Sequence, residues 1–270
     1  MENIFNFNKF ENKEEITNID CEEDNVFKDV MFIILLVKSE EFGVRAPYDL
    51  EILGKKMWEW VAMCADKAKV KTTPCTETSD ILTLIKPFVG SEKYTFVLYS
   101  DTPLLSKANC MEIFDYFRSR DLNVLKLKRG MLFNSQYLLN CENILVSENT
   151  MFDGEEFERV DNFEKLNKVT QKLKDVILDY HISNGVQIID KNSTYIDADV
   201  VIEKGVKIAP NNYIKGNTYI GEYCELEPNN TIKNSEIASR VIIKNSYISN
   251  SKIPENMIVG PFEAVLDKKY

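Results

Sequence analysis

Aliphatic residues recur every sixth position in the last third of the chain, at Ile196, Ile202, Ile208, Ile214, Ile220, Leu226 and Ile232. A helix repeats every 3.6 residues and a half-buried strand every two, so neither element produces this period. A β-solenoid does, because each short strand turns one aliphatic inward before the chain rounds the corner of a triangular coil. Four positions after an aliphatic stand Val200, Val206, Thr218 and Cys224, all small or β-branched, and Gly205, Gly216 and Gly221 fall near expected corners. Beyond Ile232 the spacing tightens to Ile237, Ile243, Ile248 and Ile253, which predicts distorted corners there. The pattern predicts a left-handed parallel β-helix of hexapeptide repeats from about Thr194 to Phe262.

Ahead of the repeat, apolar strand patterns alternate with helical ones, which predicts a small α/β domain. Strands are expected at Val30–Val37, Tyr94–Ser100 and Asn123–Lys128, and helices at Lys55–Lys67 and Lys107–Arg118. Leu122–Asn143 reads as a short strand, a turn and one helix. Trp58 and Trp60 lie two apart on a predicted helix, so one of them faces the core. The clearest helix is Glu164–Ile182, with an apolar stripe of Leu166, Val169, Leu173, Val176, Ile177 and Tyr180, ending near a capping Gly185. The expected organisation is an acidic extension over 1–26, an α/β domain over 27–163, a connecting helix over 164–185 and the β-helix over 186–270.

Charge and cysteines narrow the function classes. The 43 acidic and 33 basic residues leave a formal charge of −10, and no Lys/Arg cluster overrides it, which argues against nucleic acid as a partner. Cys21, Cys64, Cys75, Cys110, Cys141 and Cys224 are scattered without metal-ligand spacing, as expected of reduced thiols. The polar start and the short apolar run Val30–Val37 suggest neither a signal peptide nor a membrane anchor, so a cytoplasmic location is expected.

Two stretches carry a resemblance. Asn184-Gly-Val-Gln-Ile-Ile-Asp190, Thr194-Tyr-Ile-Asp-Ala-Asp199, Lys215-Gly-Asn-Thr218 and Val259-Gly-Pro-Phe262 resemble the domain junction and first coils of a bacterial family. It is the bifunctional N-acetylglucosamine-1-phosphate uridylyltransferase/glucosamine-1-phosphate acetyltransferases. Val97-Leu-Tyr-Ser-Asp-Thr-Pro-Leu-Leu105 is similar to that family's strand-end signature. The resemblance implies a reduced, Rossmann-like nucleotidyltransferase fold before the β-helix. It makes Asp101 the counterpart of the magnesium-binding aspartate and Asn162, in Val160-Asp-Asn162, its partner. Mg²⁺ takes such hard oxygen ligands and bridges phosphates in nucleotidyl transfer. The resemblance also implies a homotrimer assembled through the coils.

The chain departs from the family where phosphates are held. The family's glycine-rich loop falls on Lys38-Ser-Glu-Glu-Phe-Gly-Val-Arg45, where Gly43 and Arg45 match the last loop glycine and the arginine, as phosphate-binding and catalytic candidates. Glu40 and Glu41 stand where small residues belong and oppose a triphosphate. Pro47 is followed by Tyr48 and Asp49, although Gly54-Lys-Lys-Met57 resembles the turn beyond, so the catalytic lysine has no counterpart. Arg45 and Lys55 are either a remnant phosphate site or surface cations. The interval from Asp101 to Asn162 is about half what the family uses for its sugar lobe. Leu266 stands where the acetyltransferase arginine belongs, and the sole histidine, His181, lies in the connecting helix as a polar linker residue, so acetyl transfer is not expected. Asp101 and Asn162 have structural alternatives too, an Asx turn and a helix cap.

Three functions stay open: a divergent Mg²⁺-dependent sugar-1-phosphate nucleotidyltransferase, a non-catalytic relative that binds a sugar nucleotide or a sister enzyme, and a trimeric β-helix scaffold. The loss of loop, lysine and sugar lobe together favours the second.

Overall fold

The computed structural model describes residues 26–43, 46–76, 78–145 and 152–268. They fall into two compact units: one takes in residues 26–52 and Lys56–Val169, the other Leu53–Lys55 and 170–268.

The first unit is built on a five-stranded sheet. Its strands are β1 (Val30–Val37), β2 (Lys69–Cys75), β3 (Tyr94–Tyr99), β4 (Val124–Leu127) and β5 (Gly130–Asn134), in the order β2-β1-β3-β5-β4. β1 pairs in parallel with β2 and β3, with Leu35 opposite Thr73 on one side and Tyr99 on the other. β5 runs antiparallel to both β3 and β4. β1 is apolar throughout because both of its faces are covered, as in parallel sheets generally. Phe32 and Ile34 point into one layer with Phe96, Phe114 and Phe117, while Met31, Ile33 and Leu35 point into the other with Leu82, Ile85 and Leu138. Helices α1 (Met57–Ala62) and α3 (Lys107–Ser119) supply the first layer, α2 (Ile81–Ile85) and α4 (Ser135–Asn140) the second.

The expected strands and helices are present, but the helix expected over Lys55–Lys67 is cut to α1 and a following 3-10 turn, Met63–Ala65, and α2 was not expected. β2 was not foreseen. It is an edge strand, Lys-Val-Lys-Thr-Thr-Pro-Cys, mostly exposed, so it shows no apolar run, and Pro74 is tolerated only because one side of the strand is unpaired. Leu122–Asn143 holds a two-stranded hairpin before its helix, not one strand. The turn is Lys128-Arg129, which carries none of the Asn-Gly chemistry that announces a hairpin. Trp60 is the buried tryptophan of its pair, donating from Nε1 to the Ile52 carbonyl at 2.8 Å.

Helix α5 (Phe163–Ser183) starts in the first unit and continues into the second. Val169, Leu173 and Ile177 are buried as the stripe predicts; Val176 is exposed, and Leu178 takes its place in the core. The helix ends in a Schellman motif: Val186 N–H donates to the His181 carbonyl, Gly185 N–H to that of Ile182, and Gly185 takes φ 89°. His181, expected as a polar linker residue, lies in the core. It is buried, packs edge-on against Tyr180 at 5.4 Å, and desolvation pushes its pKa down to about 4.

The second unit is the left-handed β-helix. Three parallel sheets line it: one from Gln187–Ile188 to Ile258–Val259, one from Tyr195–Ile196 to Ala264–Leu266, and one from Val201–Ile202 to Lys252–Ile253. Ile196, Ile214, Ile232, Ile248 and Val265 stack in register down one sheet, all buried. Each such residue stabilises the coil by about 1.5–3 kcal/mol. The tightened spacing past Ile232 leaves the pairing intact, since Ile220 still faces Ile237 and Ile237 faces Ile253. Asn234, Asn245 and Asn250 take positive φ at these corners, a conformation asparagine tolerates. At the preceding corner Gly216 has φ 62°, and a Cβ there would lie 2.1 Å from the Asn234 Oδ1 stacked against it.

The interior also holds polar residues that the period did not announce. Asn212 and Asn230 are fully buried, with Asn230 Nδ2 donating to Asn212 Oδ1 at 3.0 Å and Ser246 N–H donating to Asn230 Oδ1 at 2.8 Å. A paired ladder of this kind satisfies buried amides that would be costly alone.

Two outcomes test this picture. Ile208→Asp puts a carboxylate among fully buried aliphatics and is expected to destabilise the coil by more than about 4 kcal/mol; wild-type melting in that variant would contradict the coil. For His181, the unfolded state binds a proton that the native state refuses between pH 6.5 and about 4, so stability is intact above that window and falls as pH drops through it. The loss is on the order of 3 kcal/mol, and denaturant titrations across that range should show a flatter profile for His181→Phe.

Candidate functional site

The strand-end site forms where β3 stops. Ser100 is buried, and its Oγ accepts from the Val37 amide at 3.1 Å, tying the ends of β1 and β3 together. Thr102 Oγ1 closes the turn by donating to the Tyr99 carbonyl at 3.0 Å. Between them Asp101 is 1% exposed. Its carbonyl accepts from Val160 N–H at 2.8 Å, which brings the 159–162 segment alongside.

Both carboxylate oxygens of Asp101 are engaged. Arg129, in the β4–β5 turn, donates from Nε to Oδ1 at 2.9 Å and from Nη2 to Oδ2 at 2.7 Å, a bidentate fork. Arg159 Nε lies 3.2 Å from Oδ2. The Arg129 guanidinium also stacks over the Tyr99 ring at 4.1 Å. Burial works against its charge, but the Asp101 bonds and field outweigh that and raise its pKa. Burial likewise raises the Tyr99 hydroxyl and, with partial relief from Arg129, the Cys75 thiol.

Asn162 is spent elsewhere: its Oδ1 accepts from Lys165 N–H at 2.9 Å, the N-cap bond of α5. Lys165 Nζ pairs with Asp161 at 2.8 Å, and Ser39 Oγ donates to the Asp161 carbonyl at 2.7 Å. These donors do not fit a hard divalent cation, which needs free carboxylate lone pairs. Asp101 offers its oxygens to two guanidinium groups, and Asn162 offers its oxygen to a backbone amide. No cluster of three acidic, His or Cys side chains with metal-binding geometry occurs among the described residues.

The candidate phosphate loop is a single 3-10 turn, Glu40–Phe42. Phe42 is buried and meets Phe163 edge-on at 4.9 Å, while Glu40 and Glu41 are exposed. Gly43 has φ 66° and gives its amide to the Glu40 carbonyl at 3.0 Å. Arg45 lies outside the described residues. Lys55, the other candidate cation, pairs with Asp199 at 2.7 Å. Sequence reasoning thus missed Arg129 and Arg159, which stand 28 and 58 positions from Asp101 in single-residue contexts without a motif.

Comparison with known proteins bears on this geometry. The family model for the bacterial transferase hexapeptide (six repeats) matches residues 199–234. Bifunctional protein GlmU of Clostridium kluyveri is 35% identical over 142 residues, 51% of this chain and 31% of the relative. GlmU of Clostridium botulinum is 44% identical over 110 residues, and that of Clostridioides difficile 43% over 108; each alignment covers 24% of the relative and about 40% of this chain. This chain is GlmU-like over about half its length. It spans a third or less of the length of these GlmU relatives. No helix among the described residues is long and apolar enough to cross a membrane.

The cluster generates a stability test. Asp101→Asn leaves two partly buried guanidinium groups without a counter-charge and is expected to cost about 2–3 kcal/mol, while the double variant with Arg129→Met recovers part of the loss. Urea titrations measure both. A carboxylate kept for a metal is usually strained when the metal is absent, so stabilisation by Asp101→Asn would contradict the cluster.

Proposed function

We propose that this chain is a non-catalytic relative of the sugar-1-phosphate uridylyltransferases, one that binds a sugar nucleotide or a partner protein in UDP-N-acetylglucosamine and cell-envelope precursor metabolism, in the cytoplasm. One observation carries the reading: both oxygens of the aspartate that matches the magnesium ligand accept from Arg129, and Arg159 forms a second ion pair with it. In the family's reaction a divalent cation on this aspartate would supply charge to the phosphates. Here Asp101 is already neutralised by Arg129, which the Tyr99 ring also holds.

Three further features support the reading. Glu40 and Glu41 stand exposed in the loop that in the family receives the triphosphate. Tyr48 and Asp49 follow Pro47 where the family has its lysine, and Asp49 pairs with Lys56 at 2.9 Å. For acetyl transfer, Leu266 stands in place of the family's arginine, and His181 is buried in α5.

The coil is proposed to associate in threes. On the sheet from Tyr195–Ile196 to Ala264–Leu266, one outward row reads Tyr195, Tyr213, Thr231, Tyr247, Ala264, without a charge, beside a second row that includes Lys215, Lys233, Ser249 and Leu266. The other two sheets present charged pairs such as Lys207–Glu225 and Lys252–Glu236. An uncharged row is the one that self-association buries at least cost.

The test is pyrophosphate release from UTP and N-acetylglucosamine 1-phosphate with Mg²⁺. The expected result is no release above the protein-free control; robust turnover abolished by Asp101→Ala would overturn the proposal. Light scattering on the same sample should give about three times the 31.2 kDa chain mass, and a monomer would remove the trimer from the reading.

A further inference from the structure

A cavity of about 340 Å³ opens beside the Asp101–Arg129 pair. Its wall is apolar on one side, from Ile81, Tyr99, Met131 and Ile144, and its rim carries Lys126, Lys128 and Arg129. Among the described residues no carboxylate lines it. Asp101 lies behind Arg129 and neutralises its charge, so of the three cations that line the cavity, Lys126, Lys128 and Arg129, two face no anion within ion-pair distance among the described residues, in a chain whose overall charge is −10.

The cations differ in how far they are committed. Arg129 spends two of its five N–H groups on Asp101, and the other three make no hydrogen bond among the described residues. Its orientation is fixed by the Asp101 fork and the Tyr99 ring, so those free N–H groups are already placed. Lys128 Nζ donates to the Asp153 carbonyl at 3.0 Å, a neutral partner that leaves its charge uncompensated. Lys126 is exposed, stands opposite Met131 in the β4–β5 register, and has neither an ion pair nor a hydrogen bond among the described residues. Oriented donors beside uncompensated charge and an apolar wall match a small molecule with an oxyanion at one end and a flat or apolar body at the other.

We propose that this cavity binds a small organic phosphate without a metal ion, with Arg129 and Lys126 contacting the phosphate and Tyr99, Ile81 and Met131 flanking its body. The inference rests on the non-catalytic reading in one respect, that Asp101 holds Arg129 and not a divalent cation. Mg²⁺ is then a competitor, because it chelates the phosphate that the arginine and lysine recognise.

Calorimetric titration of the full chain with UDP, with inorganic pyrophosphate and with uridine, each in EDTA and again in millimolar Mg²⁺, tests this. Saturable UDP binding in EDTA is expected, unchanged or weakened by Mg²⁺, with pyrophosphate binding more weakly and uridine at least tenfold more weakly. Lys126→Glu, at an exposed position outside the core, is expected to weaken UDP at least tenfold while melting like the wild type. Binding that requires Mg²⁺ would overturn both the inference and the non-catalytic reading. Failure of UDP and pyrophosphate to bind in either buffer overturns the inference alone, because the absence of pyrophosphate release is measured independently. Binding indifferent to Lys126→Glu would place the ligand elsewhere and overturn the site.

Discussion

Asp101 sits at the C-terminal end of the central parallel strands, almost without solvent, and its negative charge has to be met from within the protein. Arg129 and Arg159 meet it, and much of the unit's geometry follows from that requirement. Arg129 reaches the carboxylate because β4 and β5 form a hairpin whose turn overhangs the end of β3; the β3–β5 pairing of Leu98 with Gly130 sets this register. Gly130 is fixed in turn, since it has φ 140° and a Cβ there would lie 2.8 Å from the Val97 carbonyl. Arg159 arrives because Val160 donates to the Asp101 carbonyl, and the same segment leads into the Asn162 cap and α5. One buried charge thereby orders a hairpin, a loop and a helix start.

The coil is held together differently. Each turn touches only the turns before and after it, so its stability is close to a sum of nearest-neighbour terms. Its interior is mainly aliphatic, and buried polar residues such as Asn212, Asn230, Thr218 and Ser235 satisfy one another or a backbone carbonyl. No long-range electrostatics are needed, and the outward rows are free to differ from sheet to sheet. The tightened repeat past Ile232 shows how tolerant this is: asparagines at positive φ round the shorter corners while the inward stack continues.

That contrast explains what could be read from the residues alone. The coil was legible because an inward position every six residues leaves a periodic trace in the sequence, and the α5 stripe was legible for the same reason at a different period. Asn212 and Asn230 were not, since a polar residue at an inward position looks like a gap until its neighbour one turn away is known. β2 was hidden because an exposed edge strand needs no apolar pattern. The candidate site was half legible. Motif resemblance found Asp101 and Asn162, but nothing local marks Arg129 or Arg159, whose meaning comes from contacts made across the fold. His181 shows the same limit in reverse, a polar residue whose burial follows from helix packing and not from its own chemistry.

The exchange of a metal-type ligand set for an arginine pair bears on what such a site can do. A divalent ion held there would supply Lewis-acid charge to a transferred phosphoryl group. A guanidinium pinned by Asp101 on one edge and by Tyr99 on its face presents a fixed field to whatever sits before it. Such a field is suited to holding an anion with two or more oriented N–H groups. A divalent ion could take Asp101 only if Arg129 left it, and that departure would strip a buried carboxylate of its principal partner. On the proposed reading, the ion pair that neutralises Asp101 is also what turns the cavity toward holding a ligand.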